Sequence, residues 1–298
     1  MSNALVILVA GSTTGFGRLT VETLARQGHR VFAGIRESIG KNTPARQELQ
    51  ALAENPQLAL QIVDLDVTDD LSVTQAIDEV IRTASRLDVV VNNAGVSFTG
   101  PIEAFTLEQV QQQFDTNLFG VIRVNRAALP QMRAQGSGLL LQVGSVLGRV
   151  ALPFVGLYGA SKFALEGLTE AYRYELAALG IDAVIVEPTT YPTHLMANNH
   201  SPVDRERVAP YTAVMNTIVP RLGATVANAT PPDPQEVANA IAALIALSAG
   251  ERPLRTIVTP NAQQRQPLDQ INETTRRVSR AFLESLGVLS QVTLTPGK

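Results

Sequence analysis

The stretch Ala4-Leu5-Val6-Ile7-Leu8-Val9-Ala10-Gly11-Ser12-Thr13-Thr14-Gly15-Phe16-Gly17 decides how the rest of the chain is read. Its uncharged, apolar first half shows no alternation, the mark of a strand covered on both faces as in a parallel sheet. Three glycines follow at once, and then a helical pattern over Phe16–Gln27. Glycines let the backbone turn tightly and approach a bound group. The N-terminus of the next helix offers free N–H groups and the positive end of its dipole. The combination predicts a pyrophosphate cradle from Gly11, Ser12, Thr14, Gly15, Phe16 and Gly17. The spacing is GxxxGxG, not the GxGxxG of the general dinucleotide fingerprint.

Working outward, similar apolar runs recur at Arg30–Ile35, Leu58–Asp64, Leu87–Val91, Gly138–Val143 and Ile181–Glu187. Helical spacing fills the segments Leu71–Thr83, Leu107–Met132 and Tyr158–Leu179 between them. Strand alternating with helix predicts an α/β fold, a doubly wound parallel sheet of about seven strands with helices on both faces. After Pro188 the pattern breaks, with seven prolines from Pro192 to Pro234, and resumes as a helix to about Ser248 and a strand near Leu254–Val258. A segment that leaves a sheet and returns to it is an insertion. The expectation is therefore one domain over 1–298, with a substrate lid at about 189–233 and a tail at about 263–298 that includes a helix near Gln270–Leu286.

Composition narrows the function. A net charge of -3 over 298 residues gives no basic excess for nucleic acid or anionic lipid. The N-terminal apolar run is too short for a membrane span and lacks the basic start of a signal peptide, so it reads as a buried strand. Zero cysteines exclude disulfides and thiol catalysis and suggest a cytoplasmic protein. His29, His194 and His200 form no metal-ligand spacing and are expected in loops or on the surface, so no metal is expected.

GxxxGxG in the first turn, Asn92-Asn93-Ala94-Gly95 after the fourth strand, Asn117 on a later helix, Ser145 after the fifth strand and Tyr158-x-x-x-Lys162 opening the next helix occur in this order. Together they resemble the short-chain dehydrogenase/reductase family over roughly residues 4 to 195. The resemblance implies NAD(P)-linked oxidoreduction of CH–OH and C=O groups. Its catalytic set would be Asn117, Ser145, Tyr158 and Lys162. Tyr158 would be the acid and Ser145 would bond the substrate oxygen. Asn117 would anchor a water, and Lys162 would also hold the nicotinamide ribose. Tyr158 and Lys162 share a helix face at i, i+4, and a cation within ~4–6 Å of a phenol can lower its pKa by about 1–3 units.

The resemblance also assigns cofactor contacts to Asp66 and Val67 at the adenine, to Asn93, Ala94 and Gly95, and to Pro188 and Thr193, the last at the carboxamide. Asp66 has a helix N-cap as its plain alternative. At the end of strand two, Ile35 stands where an NAD enzyme carries an acid, and Arg36 follows, which favours NADP. Arg18 could add charge there, and Glu37 could pair with Arg36. Two departures are visible: Ala10 lacks the family's threonine hydroxyl, predicting a softer turn, and Thr189 replaces a glycine, so the backbone beside the ring could run differently.

An apolar wall is expected from Val146-Leu147 through Leu152-Pro153-Phe154-Val155 to Tyr191 and Met196, with Phe98 beside it. Such a wall suits a hydrophobic ketone, aldehyde or secondary alcohol. The resemblance is strongest to ketoreductases of retinoid-, steroid- or lipid-like carbonyls, and it implies a homo-dimer or homo-tetramer. The competing readings are an NAD-linked alcohol dehydrogenase and a non-catalytic dinucleotide sensor.

Overall fold

A computed structural model describes residues 4–36, 43–193, 195, 199–227 and 231–294, without the side chains of 222–227. Glu37, His194 and Met196, singled out above, lie outside the described residues. Seven parallel strands form one sheet: β1 Val6–Ala10, β2 Arg30–Ile35, β3 Leu60–Asp64, β4 Val89–Asn92, β5 Gly138–Val143, β6 Ile181–Pro188 and β7 Arg255–Val258. Their order is β3-β2-β1-β4-β5-β6-β7, the doubly wound sheet expected from the sequence. The chain winds one way to β3, then returns past β1 and winds the other way. The reversal opens a crevice at the carboxyl ends of β1 and β4, where Ala10 pairs with Gly34 on one side and Asn92 on the other.

Successive residues of the central strands β1, β2 and β4 feed opposite cores, which is why those strands are apolar, whereas the edge strand β3 exposes Gln61 and Asp64. Ile7 and Val9 pack with Val21 and Leu24 of α1 (Gly15–Arg26) and with Val237 and Ile241 of α8 (Gln235–Ala246). On the other face, Leu8 and Val90 pack with Val73, Ile77 and Val80 of α3 (Asp70–Ala84) and with Val124, Ala128 and Met132 of α5 (Gly120–Gln135).

Helix α2, Thr43–Ala53, escapes the sequence pattern because Leu49 alone of its residues is fully buried. The expected single helix Leu107–Met132 is divided into α4 (Leu107–Phe114), a π-helical turn Asp115–Phe119, and α5. The segment after β6 contains a helical turn at Arg205–Val208 and a sixteen-residue helix, α7 (Thr212–Ala227), where no steady period is visible. None of its side chains from Thr212 to Arg221 is buried, and Val214 is exposed. The tail helix α9 runs over Ala262–Ser285, beginning earlier than Gln270. Among the described residues no helix is long and apolar enough to cross a membrane.

Candidate active site

The glycine turn is built by close approach. Gly11 has φ +75°, and a Cβ there would lie 2.7 Å from the Cα of Ala94, so β1 and β4 leave their sheet nearly in contact. The Asn93 side chain donates to the Gly11 carbonyl at 2.8 Å and fixes this junction. Ser12 turns inward: its hydroxyl donates to the Val9 carbonyl at 2.7 Å and its N–H to the Gly34 carbonyl at 3.0 Å. The first bond ties the turn back to β1 and the second ties it to β2, where Ala10 has no hydroxyl to do so. Gly17 sits behind the turn, against the Gly11 carbonyl.

Thr14 is the N-cap of α1, yet its side chain makes no capping bond, which leaves the first-turn N–H groups of Gly15 and Phe16 at the wall of a cleft of about 900 Å³. Gly11, Thr13, Thr14, Arg36, Asp66, Val67, Asn93, Ala94 and Gly95 share that wall. Thr13, absent from the expected set, is reached because the turn presents three consecutive backbone units. A glycine-lined cradle against an uncapped helix N-terminus, with Arg36 beyond it, fits the pyrophosphate and adenosine half of a dinucleotide.

Two charged residues differ from expectation. Arg18 turns to Glu22 at 2.6 Å and Glu48 at 3.3 Å, away from the cleft. Asp66 does not cap α3. Asp69 does, accepting from the N–H groups of Leu71 and Ser72, while Asp66 accepts from the N–H and hydroxyl of Thr68.

The other end of the cleft holds Tyr158 and Lys162, on α6 (Gly156–Leu176). Both are buried. Ser145 follows β5 and accepts from the Leu147 N–H at 3.1 Å, capping a short turn. Lys162 Nζ donates to the Val143 carbonyl at 2.8 Å and lies 5.7 Å from the centre of the Tyr158 ring. The expected lowering of the phenol is reversed in the polypeptide: burial pushes Tyr158 up to about 12, and the Ser145 hydroxyl only partly offsets this. The same burial pulls Lys162 down to about 8 against the attraction of Glu166.

Asn117 lies in the π turn, fully buried. Its Oδ1 accepts from the Val96 N–H at 2.9 Å, and its Nδ2 donates to the Val96 carbonyl at 3.0 Å and the Ser161 hydroxyl at 3.1 Å. Ser161 in turn donates to the Tyr158 carbonyl. One amide thus clamps the loop after Asn92-Asn93-Ala94-Gly95 to the helix of Tyr158. The extra residue of a π turn re-aims a side chain in this way.

Thr193 lines the cleft opposite Gly15, and Pro188 ends β6 behind it. Thr189 continues the strand, its N–H bonding the Val258 carbonyl at 3.0 Å, and its φ is not positive, so the missing glycine strains nothing. The substrate wall differs from the expected one. Tyr191 is in the core, edge-on to Phe16 and donating to Glu236 at 2.8 Å. Phe98 packs with Phe105 and Leu157, and Leu152 is exposed. The lining instead mixes Val96, Val143 and Leu195 with Gln112, Thr116, Asn199 and His200. His200 reaches it by stacking on Phe98 at 4.7 Å, with Phe98 and His200 paired as a β-bridge.

The short chain dehydrogenase family description matches residues 5–204. A 3-ketodihydrosphingosine reductase of Bacteroides thetaiotaomicron is 35% identical over 198 residues, 65% of this chain and 67% of that protein. Human 17-beta-hydroxysteroid dehydrogenase type 1 is 38% identical over 187 residues, 61% of this chain and 55% of that protein. The crystal structure of a short-chain dehydrogenase from Streptomyces avermitilis superposes with a TM-score of 0.70 at 29% identity, covering 97% of this chain and 98% of that one.

Proposed function

Because this chain belongs to the short-chain dehydrogenases, oxidoreductases acting on CH–OH groups, we propose that it is an NADPH-dependent carbonyl reductase for a hydrophobic ketone or aldehyde. The same site would oxidise the secondary alcohol in reverse. The observation that carries this reading is that Tyr158 and Lys162 line the same cleft as the glycine cradle and Arg36.

The nicotinamide group, when bound, supplies or accepts the hydride. Gly11, Thr14, Gly15, Phe16, Asn93, Ala94, Gly95 and Thr193 would hold the dinucleotide. Arg36 would meet the 2′-phosphate, with Asp66 and Val67 beside the adenine. Tyr158 holds its proton firmly and would deliver it to the carbonyl oxygen as charge develops there. The Ser145 hydroxyl would steady that oxygen. Asn117 keeps the loop at Val96 and the helix of Tyr158 in register.

The lining of Val96, Val143 and Leu195 supports a lipid-like substrate, in keeping with the sphingoid and steroid relatives. Gln112, Asn199 and His200 would receive its polar groups. We assign the segment 189–233 as the lid of this single-domain enzyme. A dimer or tetramer joined through α4, α5 and α6 belongs to the same proposal, and Phe119 and Phe163 there are half exposed.

The test is a fluorescence titration with NADPH and NADH on the native chain and Arg36→Ala, followed by a ketone panel. Tighter NADPH binding that collapses in the variant, with turnover of a lipophilic ketone, is the expected result. Equal or tighter NADH binding would overturn the cofactor assignment in favour of an NAD-linked alcohol dehydrogenase. Binding without turnover of any ketone or alcohol would leave a dinucleotide sensor.

A further inference from the structure

One turn along α6 from Lys162, the buried carboxyl group of Glu166 interacts with a second one, Glu187 of β6. Glu166 and Glu187 are buried, on α6 and at the end of β6. Arg255 of β7 binds Glu166 Oε2 at 2.8 Å and also Glu170 at 2.7 Å. The Asn272 amide of α9 donates to Glu187 Oε2. The Arg149 guanidinium is 4.0 Å from Glu187 Oε1 and bonds Thr275 of α9. Among the described residues, neither Glu166 Oε1 nor Glu187 Oε1 has a hydrogen-bond donor, although both are sealed from solvent.

Two acceptors can satisfy each other only if one carries a proton, and an unsatisfied buried carboxylate is costly. The close guanidinium lies on Glu166, so that residue keeps its charge and Glu187 carries the hydrogen. Burial pushes both carboxyl groups up, with Arg255 opposing the rise at Glu166 and the Glu166 charge adding to it at Glu187, while Glu166 raises Lys162.

We propose that Glu166 and Glu187 share one proton as a carboxylate–carboxylic acid pair, and that the single negative charge left on Glu166 is a positioning device that keeps Lys162 protonated. The role given to Lys162 rests on the function proposed above; the proton count of the pair does not. Four elements assemble the device: α6 supplies Lys162, Glu166 and Glu170, β6 supplies Glu187, β7 supplies Arg255, and α9 supplies Asn272 and Thr275. Arg149 enters from the loop that follows Ser145. The device is also coupled to that loop by shape. A Cβ on Gly148 would lie 2.9 Å from Glu166 Cγ and 3.0 Å from the Lys162 carbonyl, and Gly148 N–H bonds the Ser145 carbonyl. Residues 262–294 thereby acquire a task that their sequence does not disclose: through Asn272 they hold Glu187 in place.

The experiment uses the full chain and needs no substrate. Infrared spectroscopy at pH 7 would find the carbonyl stretch of a buried protonated carboxyl group in the native protein and not in Glu187→Gln. Titration of the Lys162 ammonium by NMR on lysine-labelled protein would then separate the two carboxyls. In Glu166→Gln the midpoint should fall by about one unit, since an opposite charge has been removed at short range. In Glu187→Gln, whose amide still donates to Glu166, it should stay within a few tenths. Absence of the band in the native protein would overturn the shared proton, and that measurement requires no variant to fold. An unmoved Lys162 titration in Glu166→Gln would overturn the positioning role. Inactivity toward every carbonyl tested, with both spectroscopic results intact, would sink the proposed function and leave the pair standing.

Discussion

Strand β6 carries a buried carboxyl group near each end, and the two are treated in opposite ways. At the lower end Asp182 receives two guanidinium groups, Arg173 at 2.5 Å and Arg252 at 3.3 Å. At the upper end Glu187 faces another carboxyl, with its nearest guanidinium, that of Arg149, at 4.0 Å. The same strand thus neutralises charge far from the cleft and leaves it contested beside the cleft. A group settled by its neighbours serves stability, whereas one held in balance can respond to a ligand or a proton.

The largest effect should come where the contested end meets chemistry. Tyr158→Phe should lower kcat by about 10²–10⁴-fold, the usual worth of a positioned acid, with an unchanged urea midpoint. At the settled end, Asp182→Ala should leave two buried guanidinium groups short of their partner. It should cost about 3–5 kcal/mol in urea unfolding, with activity per folded molecule preserved. A large loss of activity in the folded fraction would break the contrast between the two ends. Gly148→Ala would press on both Glu166 and the Lys162 carbonyl. It should destabilise by about 1–3 kcal/mol, as overpacking does, and lower kcat more than it raises KM.

A further contrast is in pH. Glu187 is pushed up to about 8 from 4.5, so the folded state binds its proton more tightly than the unfolded chain does. That contribution to stability is complete below pH ~4.5 and is lost as pH rises through about 8. Urea midpoints should therefore fall between pH 5 and 9 by more in the native protein than in Glu187→Gln. Parallel slopes would remove the distinction drawn at the upper end of β6.

These two ends also mark what could be read from the chain. The strands, the glycine turn and the Tyr158/Lys162 pair are local: an apolar run, a spacing of a few residues, one helical turn. The π turn at Asp115–Phe119 was not legible, because an extra residue in a helical turn requires no special side chain. Helix α7 was missed because it lacks a one-sided apolar stripe. The substrate wall was misplaced at Tyr191 and Phe98, whose rings are taken up by Phe16 and by Phe105 and His200, and the contacts to Phe16 and His200 span more than a hundred residues of sequence. Glu187 found its partners 21 and 85 residues away, at Glu166 and Asn272, and each reads alone as an ordinary polar residue. The clamp made by Asn117 was foreseen as a site but not as a bond to Val96 and Ser161.

The strand order has a consequence for synthesis of the chain. Six of the seven strands are complete by Pro188, but β6 pairs on its outer side with β7, which begins at Arg255. At ~5–20 residues per second a ribosome needs on the order of 3–13 s to make the intervening stretch. Throughout that interval the nascent chain shows an open rim of unpaired backbone along an eight-residue strand, with Glu187 lacking the Asn272 that will hold it. Chains halted in this window are the ones a chaperone must shield.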